Sequence, residues 1–206
     1  GTTIPTTEDQ MTQDALTLDE LLAALDAGET ITGGSPGHAT MHAASQEAMR
    51  VTGELNAGYH EPAGVRALLA RLTGRPVDET VTLFPPFTAD FGKNIRLGAQ
   101  VFINSGCRFQ DQGGITIGDD CLIGHNVVIA TLQHDMAPSR RGDLVPSPVV
   151  IGRNVWLGAN VTVLPGVTIG DDSVIGAGSI VTRDVPARSV AVGSPARVVR
   201  TLEDED

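Results

Sequence analysis

Residues 149–184 decide the fold, and in groups of six they read VVIGRN, VWLGAN, VTVLPG, VTIGDD, SVIGAG and SIVTRD. The third residue of each group is Ile, Leu or Val, and Gly or another small or polar residue usually follows it. The same period runs upstream, between residues 95 and 132, as IRLGAQ, VFINSG, CRFQDQ, ITIGDD, CLIGHN and VVIATL. Self-similarity at a fixed period of six predicts a solenoid, namely a parallel β-helix.

Each hexad predicts a short strand that is followed by a corner. In Val155-Trp156-Leu157 the third side chain points inward, and the following Gly permits a sharp turn onto the next face. Three hexads then close one triangular coil, and each buried aliphatic side chain contributes roughly 1.5–3 kcal/mol. Ordinary parallel strands of an α/β fold are the alternative, but no helical stretch separates the hexads. The pattern predicts four inward layers: Leu97, Ile103 and Phe109; Ile117, Ile123 and Ile129; Ile151, Leu157 and Val163; Ile169, Ile175 and Val181.

Two breaks in the period predict departures from the regular coil. The spacing between Phe109 and Ile117 is eight, so Gly113-Gly114 form a two-residue insertion that we expect to bulge from a corner. The spacing between Ile129 and Ile151 is twenty-two, which predicts an excursion over residues 132–148. Long loops on rigid scaffolds often carry function.

Composition and charge limit the classes of function. The 206 residues are 41% hydrophobic and 3% aromatic, which suits a β-helix built from Val, Ile and Gly. A net charge of −11 argues against nucleic acid as a partner. Without a membrane-length apolar run or an export signal, the sequence predicts a cytoplasmic protein with no membrane partner. Cys107 and Cys121 precede inward positions by two residues, so we expect buried, reduced thiols.

The N-terminal part of the chain predicts helices. Thr17-Leu18-Asp19-Glu20 has the pattern of a capping box, and Gly28 can end the helix that follows it. A second helix is expected from about Met41 to Asn56, and a third from Pro62 to Gly74. We therefore predict a helical cap region at residues 1–80, covering the open end of the prism. Residues 81–206 are the predicted β-helix domain, with its loop at 132–148 and a C-terminal tail.

Four arginines form a basic cluster near the end of this acidic chain, ahead of the acidic tail at residues 203–206. Asp184 is the only acidic residue in this stretch before the tail begins. Such a local cluster is a candidate phosphate site, and solvated surface arginines are the alternative. The four are Arg183, Arg188, Arg197 and Arg200.

The chain resembles the maltose and galactoside O-acetyltransferases, which are hexapeptide-repeat enzymes that use acetyl-CoA. Besides the hexads of residues 149–184, the matching stretches are PPFTADFGKNIRLG at 85–98, TLQHD at 131–135 and VGSPARVVR at 192–200. The resemblance implies a left-handed β-helix, a homotrimer with active sites between neighbouring prisms, and a small-molecule hydroxyl acceptor. His38 and His42, four residues apart, could suggest a metal site, but no third ligand is evident, and no metal is expected.

His134, in the excursion, is the predicted catalytic residue. A hydroxyl attacks a thioester efficiently only when a base accepts its proton, and an imidazole with a pKa near about 6.5 can do so at neutral pH. Because the thioester is already activated, no covalent enzyme intermediate is needed, and a ternary complex suffices. The resemblance implies that the backbone N–H of Ala159 stabilises the oxyanion. A solvent-facing histidine without a catalytic role is the alternative.

Further site residues follow from the resemblance. Asn104 would bond the acceptor hydroxyl, Asp90 and Asp111 would line the acceptor pocket, and Phe102 would pack against a sugar. Trp156, Ala159 and Ala177 would flank the pantetheine arm, and the adenosine phosphates would meet Thr182, Arg183, Arg197 and Arg200. Asn104 and Asp90 could instead be only corner and turn residues, and Trp156 could be purely structural.

The acceptor is the open point of this interpretation. Where the related enzymes carry an acidic residue that contacts the acceptor, this chain reads SPGHATMHAASQEAMR and offers His38 and His42. A hydroxylated antibiotic or another natural product is therefore an alternative acceptor. Two further alternatives are a γ-class carbonic anhydrase, for which the solenoid holds only His125 and His134, and a noncatalytic trimeric scaffold.

Overall fold

The structure, a computed structural model, describes residues 15–204, so the start of the predicted cap region and the last two residues of the acidic tail lie outside it. Three helices come first in this range: α1 (Leu18–Asp26), α2 (Pro36–Asn56) and α3 (Pro62–Thr73). The strands that follow are β1 (Thr82–Leu83), β2 (Phe87–Ala89), β3 (Ile95–Leu97), β4 (Phe102–Ile103), β5 (Cys107–Gln110), β6 (Ile115–Ile117), β7 (Leu122–Ile123), β8 (Val128–Ala130), β9 (Leu132–His134), β10 (Leu144–Pro146), β11 (Val149–Ile151), β12 (Trp156–Leu157), β13 (Thr162–Val163), β14 (Thr168–Ile169), β15 (Val174–Ile175), β16 (Ile180–Val181), β17 (Ser189–Gly193) and β18 (Ala196–Thr201).

The strands form a parallel β-solenoid with three faces, as the hexads predict. The first face contains β1, β4, β7, β12, β15 and β17, with β18 added antiparallel at its end. The second face contains β2, β5, β8, β13 and β16, and the third face contains β3, β6, β11 and β14. Each strand pairs with the strand one coil away, so identical positions of successive coils stack directly.

The predicted inward columns form the core. Ile103, Ile123, Leu157 and Ile175 are in register along the first face. All twelve predicted inward residues except Leu97, which is half-buried, are at most 1% exposed. Each of these buried side chains contributes roughly 1.5–3 kcal/mol. The residues two positions earlier in the hexads, such as Val127, Val155 and Val161, are buried equally and share the core with them.

The solenoid begins two strands earlier than the hexads indicate. Leu83 pairs with Ile103, and Ala89 pairs with Phe109, so β1 and β2 already belong to the coil rather than leading into it. Leu83 and Ala89 are six residues apart, but the Pro85-Pro86 pair between them hides the repeat.

The helices close the N-terminal end of the prism, because α2 and α3 share one hydrophobic cluster with the first coil. Thr17 caps α1 by accepting a hydrogen bond from the Glu20 N–H at 3.1 Å, which confirms that part of the capping box. The Glu20 carboxylate, however, accepts from the Thr17 hydroxyl instead of from its backbone. Helix α2 starts at Pro36 rather than near Met41, because Ser35 accepts from the His38 N–H and provides the cap.

Both predicted breaks are present, but their surroundings differ from the expectation. Gly113 and Gly114 are buried instead of bulging into solvent, because the base of the excursion covers them. The Gly113 N–H donates to Thr131 Oγ1 at 2.8 Å, and a Cβ on Gly113 would meet Thr131 O at 2.6 Å. None of the helices in the described range combines the length and the apolar composition needed to cross a bilayer.

Candidate active site

The excursion is an antiparallel hairpin, and it presents His134 at the end of β9. Strands β9 and β10 pair with His134 opposite Leu144, and a short 3₁₀ helix at Pro138–Arg140 forms the tip. The His134 side chain is exposed, and its Nδ1 lies 2.8 Å from the carbonyl oxygen of Arg141. A carbonyl oxygen can only accept a hydrogen bond, so Nδ1 carries the proton and Nε2 keeps a free lone pair. The imidazole is thus held in the tautomer that a general base requires.

Side chains at the hairpin tip fix the carbonyl that orients His134. The Asp135 carboxylate accepts from the Ala137 N–H at 2.9 Å and from Arg140 Nε at 3.1 Å. Both hydrogen bonds lower the pKa of Asp135, and the bond from the Ala137 N–H has the larger effect. Arg141 Nη2 donates to Met136 O at 3.1 Å. These bonds hold the tip over residues 135–141, the segment that carries the Arg141 carbonyl.

The helical cap anchors the hairpin from its other side. Ile31, between α1 and α2, exchanges two backbone hydrogen bonds with Leu144, at 2.8 and 2.9 Å. The Gly33 N–H donates to Asp143 Oδ1 at 3.0 Å, and a Cβ on Gly33 would meet Gly142 O at 2.8 Å. This anchoring was not predicted, because a pairing between residues more than a hundred positions apart leaves no periodic trace in the sequence.

The first face carries an outward column of apolar side chains in register: Phe102, Leu122 and Trp156. Leu122 is 50% and Trp156 54% exposed, whereas Phe102 is half-buried against Phe84, with ring centroids 5.0 Å apart in an edge-to-face arrangement. The column brings the predicted acceptor residue Phe102 and the predicted pantetheine residue Trp156 onto one face, two coils apart. Exposed apolar columns of this kind mark ligand or protein contacts.

Asn104 and Ala159 lie at the corner that follows this face. The N–H groups of Asn104, Gly124 and Gly158 each donate to a backbone carbonyl oxygen of the next coil along the chain, at 2.8–2.9 Å. Asn104 Oδ1 accepts from the Ser105 N–H at 2.9 Å, so its amide NH₂ is the group that remains for an acceptor. Within residues 15–204 the Ala159 N–H donates no hydrogen bond, and it is available to an external oxygen. A Cβ on Gly158 would lie 2.7 Å from the nitrogen of Ala177, so only small residues permit this close stacking.

Asp111 has a different role from the predicted one. It is 0% exposed, and its carboxylate accepts from the N–H groups of Phe91, Gly92 and Asn94 at 2.9–3.1 Å. Burial raises the pKa of Asp111 to about 6, against the opposing effect of these hydrogen bonds. The carboxyl group thus organises the turn at residues 91–94 and does not line a pocket. Asp90 remains exposed as a residue, yet nearby protein displaces water from its carboxyl group and raises its pKa.

The cysteines are buried as predicted and are not candidate nucleophiles. Cys107 Sγ contacts Gly124 O at 3.2 Å, and Cys121 Sγ contacts Gly152 O at 3.0 Å. Burial raises the pKa of Cys107 to about 11 and also raises that of Cys121. Both groups therefore stay protonated at neutral pH, and His134 is the base candidate without a thiolate competitor among the described residues.

The end of the solenoid brings two of the predicted phosphate contacts together. Arg183 and Arg197 line one cavity of about 180 Å³, together with Asp184. Thr182 is exposed next to Arg183, and Arg200 is exposed on β18, opposite Val190. Arg188 instead forms a solvent-exposed ion pair with Asp204 at 3.0 Å and does not line this cavity.

The histidines outside the hairpin do not converge. His38 Nδ1 accepts from the Gly34 N–H at 3.0 Å, which gives this ring a local structural role. In the part of the chain that the structure describes, no three His, Cys, Asp or Glu side chains lie close enough together to hold a metal ion.

Comparisons with known proteins agree with this geometry. The model of the bacterial transferase hexapeptide (six repeats) matches residues 148–183, and that of the hexapeptide repeat of succinyl-transferase matches residues 92–131. The galactoside O-acetyltransferase of Escherichia coli is 39% identical over 155 residues, which are 74% of this chain and 76% of the relative.

Two solved structures share most of the architecture. A maltose O-acetyltransferase from Clostridium difficile is 34% identical with a TM-score of 0.82, over 92% of this chain and 100% of the other. A hexapeptide-repeat-containing acetyltransferase from Vibrio cholerae, complexed with acetyl coenzyme A, is 35% identical with a TM-score of 0.76, over 89% of this chain and 99% of the other.

Proposed function

Because the chain belongs to the acetyl-CoA-dependent hexapeptide-repeat O-acetyltransferases, the family of the galactoside and maltose enzymes, we propose that its acceptor is a sugar or a related small molecule. In this proposal His134 is the general base, and both substrates bind before the acetyl group moves. The observation that carries it is the bond between His134 Nδ1 and Arg141 O, which leaves Nε2 ready to accept a proton.

The reaction then needs one base and one oxyanion donor. His134 Nε2 accepts the proton of the acceptor hydroxyl while the oxygen attacks the thioester carbonyl. The Ala159 N–H stabilises the negative charge that develops on the carbonyl oxygen. When the tetrahedral intermediate collapses, the C–S bond breaks, and the imidazolium returns its proton to the sulfur of coenzyme A. The products are an acetyl ester and a free thiol.

The remaining site residues receive binding roles. Phe102, Asn104 and Asp90 contact the acceptor, and Asp111 acts indirectly by shaping the turn at residues 91–94. Trp156, Ala159 and Ala177 flank the pantetheine arm along the first face and its corner. Thr182, Arg183, Arg197 and Arg200 bind the adenosine phosphates, which the shared cavity of Arg183 and Arg197 supports.

We assign the active enzyme to a homotrimer with sites between protomers. The support comes from the outward apolar column of the first face, where Leu122 and Trp156 each expose about half of their surface. A single prism leaves this column uncovered, whereas a neighbouring prism and a bound coenzyme would bury it. We further propose that the chain consists of a helical cap at residues 1–80 and a β-helix domain at residues 81–206.

A panel of sugars and hydroxylated metabolites, incubated with enzyme and acetyl-CoA, tests the proposal. We expect thiol release that depends on the acceptor, together with an O-acetylated product identified by mass spectrometry. Binding of coenzyme A without transfer to any acceptor would contradict the proposed acceptor class. Absence of both binding and transfer would favour the noncatalytic scaffold.

A further inference from the structure

A cavity of about 490 Å³ opens between the α2–α3 turn and the start of the first coil. Its walls are largely apolar, with Leu83 and Val65 each 4% exposed at the base. Two aromatic residues, Tyr59 at 83% and Phe84 at 51% exposure, stand at its edge. The volume is in the range of small-molecule sites.

The cavity lies directly below the predicted acceptor contacts. The Phe84 N–H donates to Ile103 O, and the Asn104 N–H donates to Ile123 O, both at 2.9 Å. Phe84 and Asn104 thus occupy the same corner of successive coils, which are about 4.8 Å apart. The Phe84 ring also packs edge-to-face on Phe102. A molecule that presents a hydroxyl at Asn104 therefore has this cavity one coil away.

Hydrogen bonds from Asn56 and His60 help to hold the walls of the cavity in place. The Asn56 side chain donates to Phe87 O at 2.8 Å and accepts from the Phe87 N–H at 2.9 Å, which ties the end of α2 to the segment that carries Phe84. His60 Nε2 lies 2.9 Å from Glu54 O, so Nε2 is the donor and Nδ1 remains an acceptor at the cavity wall. The site is preformed and largely apolar, and Asn56, Tyr59, His60 and Thr82 supply polar groups at its wall.

From this placement we infer that the cavity binds an aromatic or compact apolar group of the acceptor, next to the hydroxyl that is acetylated. The acceptor class is then a hydroxylated molecule with an apolar substituent, such as an aryl glycoside or a phenolic natural product, and not a free sugar. The acceptor assignment rests on the proposed function, but the binding of an apolar group does not.

Gly58 offers a direct way to fill the cavity. Gly58 lines the cavity, a Cβ on it meets no atom within 4 Å, and its backbone lies outside the left-handed region, so Gly58→Leu adds a bulky side chain at the cavity wall without strain. Gly53 in α2 has the same open surroundings but does not line the cavity. Gly53→Leu is therefore the matched control.

The first experiment measures binding without catalysis. We expect 2-phenylethanol to bind the wild-type protein saturably in the millimolar range, as seen by ligand-observed NMR, and ethanol not to bind. Gly58→Leu should weaken the binding of 2-phenylethanol by on the order of tenfold, and Gly53→Leu should leave it unchanged. Absence of saturable binding, or equal binding by both variants, would overturn the inference.

The second experiment separates the cavity from the proposed reaction. Phenyl and methyl β-galactoside share one sugar, so the ratio of their kcat/KM values reports the apolar group alone. We expect the phenyl compound to be preferred on the order of tenfold, and Gly58→Leu to remove that preference. Equal kcat/KM values for the two compounds would refute the role of the cavity in acceptor binding and would leave the proposed function intact. Binding of 2-phenylethanol without transfer to any hydroxyl would refute the proposed function instead.

Discussion

Replacement of Asp111 tests whether this buried carboxylate has a structural role. Asp111→Ala leaves three buried N–H groups, those of Phe91, Gly92 and Asn94, without their acceptor. At about 1–3 kcal/mol for each unsatisfied group, with partial relief by water, we expect a loss of roughly 3–5 kcal/mol in the free energy of unfolding. Asp119 is the matched control, because its carboxylate is exposed and accepts from the single N–H of Ala99. Asp119→Ala should cost less than about 1.5 kcal/mol.

Asp111→Asn isolates the charge from the shape of the side chain. The pKa of Asp111 is about 6 when folded and 3.8 ordinarily, so between these values the folded state binds the proton more tightly. Its contribution to stability is therefore largest at acid pH and falls by about 3 kcal/mol as the pH rises past 6, with roughly 1 kcal/mol of this between pH 5 and pH 7.5. The neutral amide lacks this loss, so the stability of Asp111→Asn relative to wild type should improve by that amount over the same interval.

Urea denaturation at pH 5 and pH 7.5, at one fixed protein concentration, measures both effects. The comparison of variant with wild type cancels the other carboxylates, whose stabilities depend on pH in both proteins alike. A difference between Asp111→Asn and wild type that is the same at both pH values would refute the buried charge. An Asp111→Ala protein within 1 kcal/mol of wild type would refute the hydrogen-bond argument.

Three further predictions address the coenzyme, the hairpin and the assembly. Arg183→Ala and Arg197→Ala should each weaken coenzyme A binding by roughly 5–30-fold in calorimetry, whereas the exposed Arg153→Ala should not, and equal affinities would remove the phosphate assignment. Asp135→Asn should lower kcat by roughly tenfold and leave coenzyme affinity unchanged. In a protein that already carries His134→Asn, the same substitution should have no further effect on kcat. If the two effects on kcat add fully, Asp135→Asn acts through a general folding defect. If the enzyme is the proposed trimer, Leu122→Asp should convert it to monomers in analytical ultracentrifugation, while Thr88→Asp on the second face should not. A Leu122→Asp protein that is still trimeric would place the interface elsewhere.

The sequence predicted the regular part of the fold because the solenoid repeats the same local physics at each coil. Inward positions such as Ile123 and Leu157 recur at a fixed period, and the structure buries them completely. The first two strands, β1 and β2, were missed because Pro85-Pro86 interrupts the pattern between Leu83 and Ala89. Local rules located the helices, but the start of α2 depended on the Ser35 cap.

The site was predictable only in part, because its geometry depends on long-range contacts. The proposal for His134 came from its place in the excursion together with the resemblance, but its tautomer depends on Arg141 O, and the hairpin is anchored at Ile31. The resemblance assigned Asp111 to the acceptor pocket, and the sequence alone cannot show that three N–H groups surround its carboxylate. The cavity beside Phe84 likewise arises from the α2–α3 turn meeting the first coil, which no motif encodes.

Steady-state kinetics of His134→Asn and His134→Ala test the central claim most directly. The Asn side chain can still donate to Arg141 O in place of Nδ1, so this variant keeps the hairpin bond and loses only the base. With an acceptor identified from the panel, we predict that both variants lose roughly 10²–10⁴-fold in acetyl transfer and bind coenzyme A as tightly as wild type. A His134→Asn enzyme that transfers acetyl groups at the wild-type rate would contradict the role of His134 as the general base.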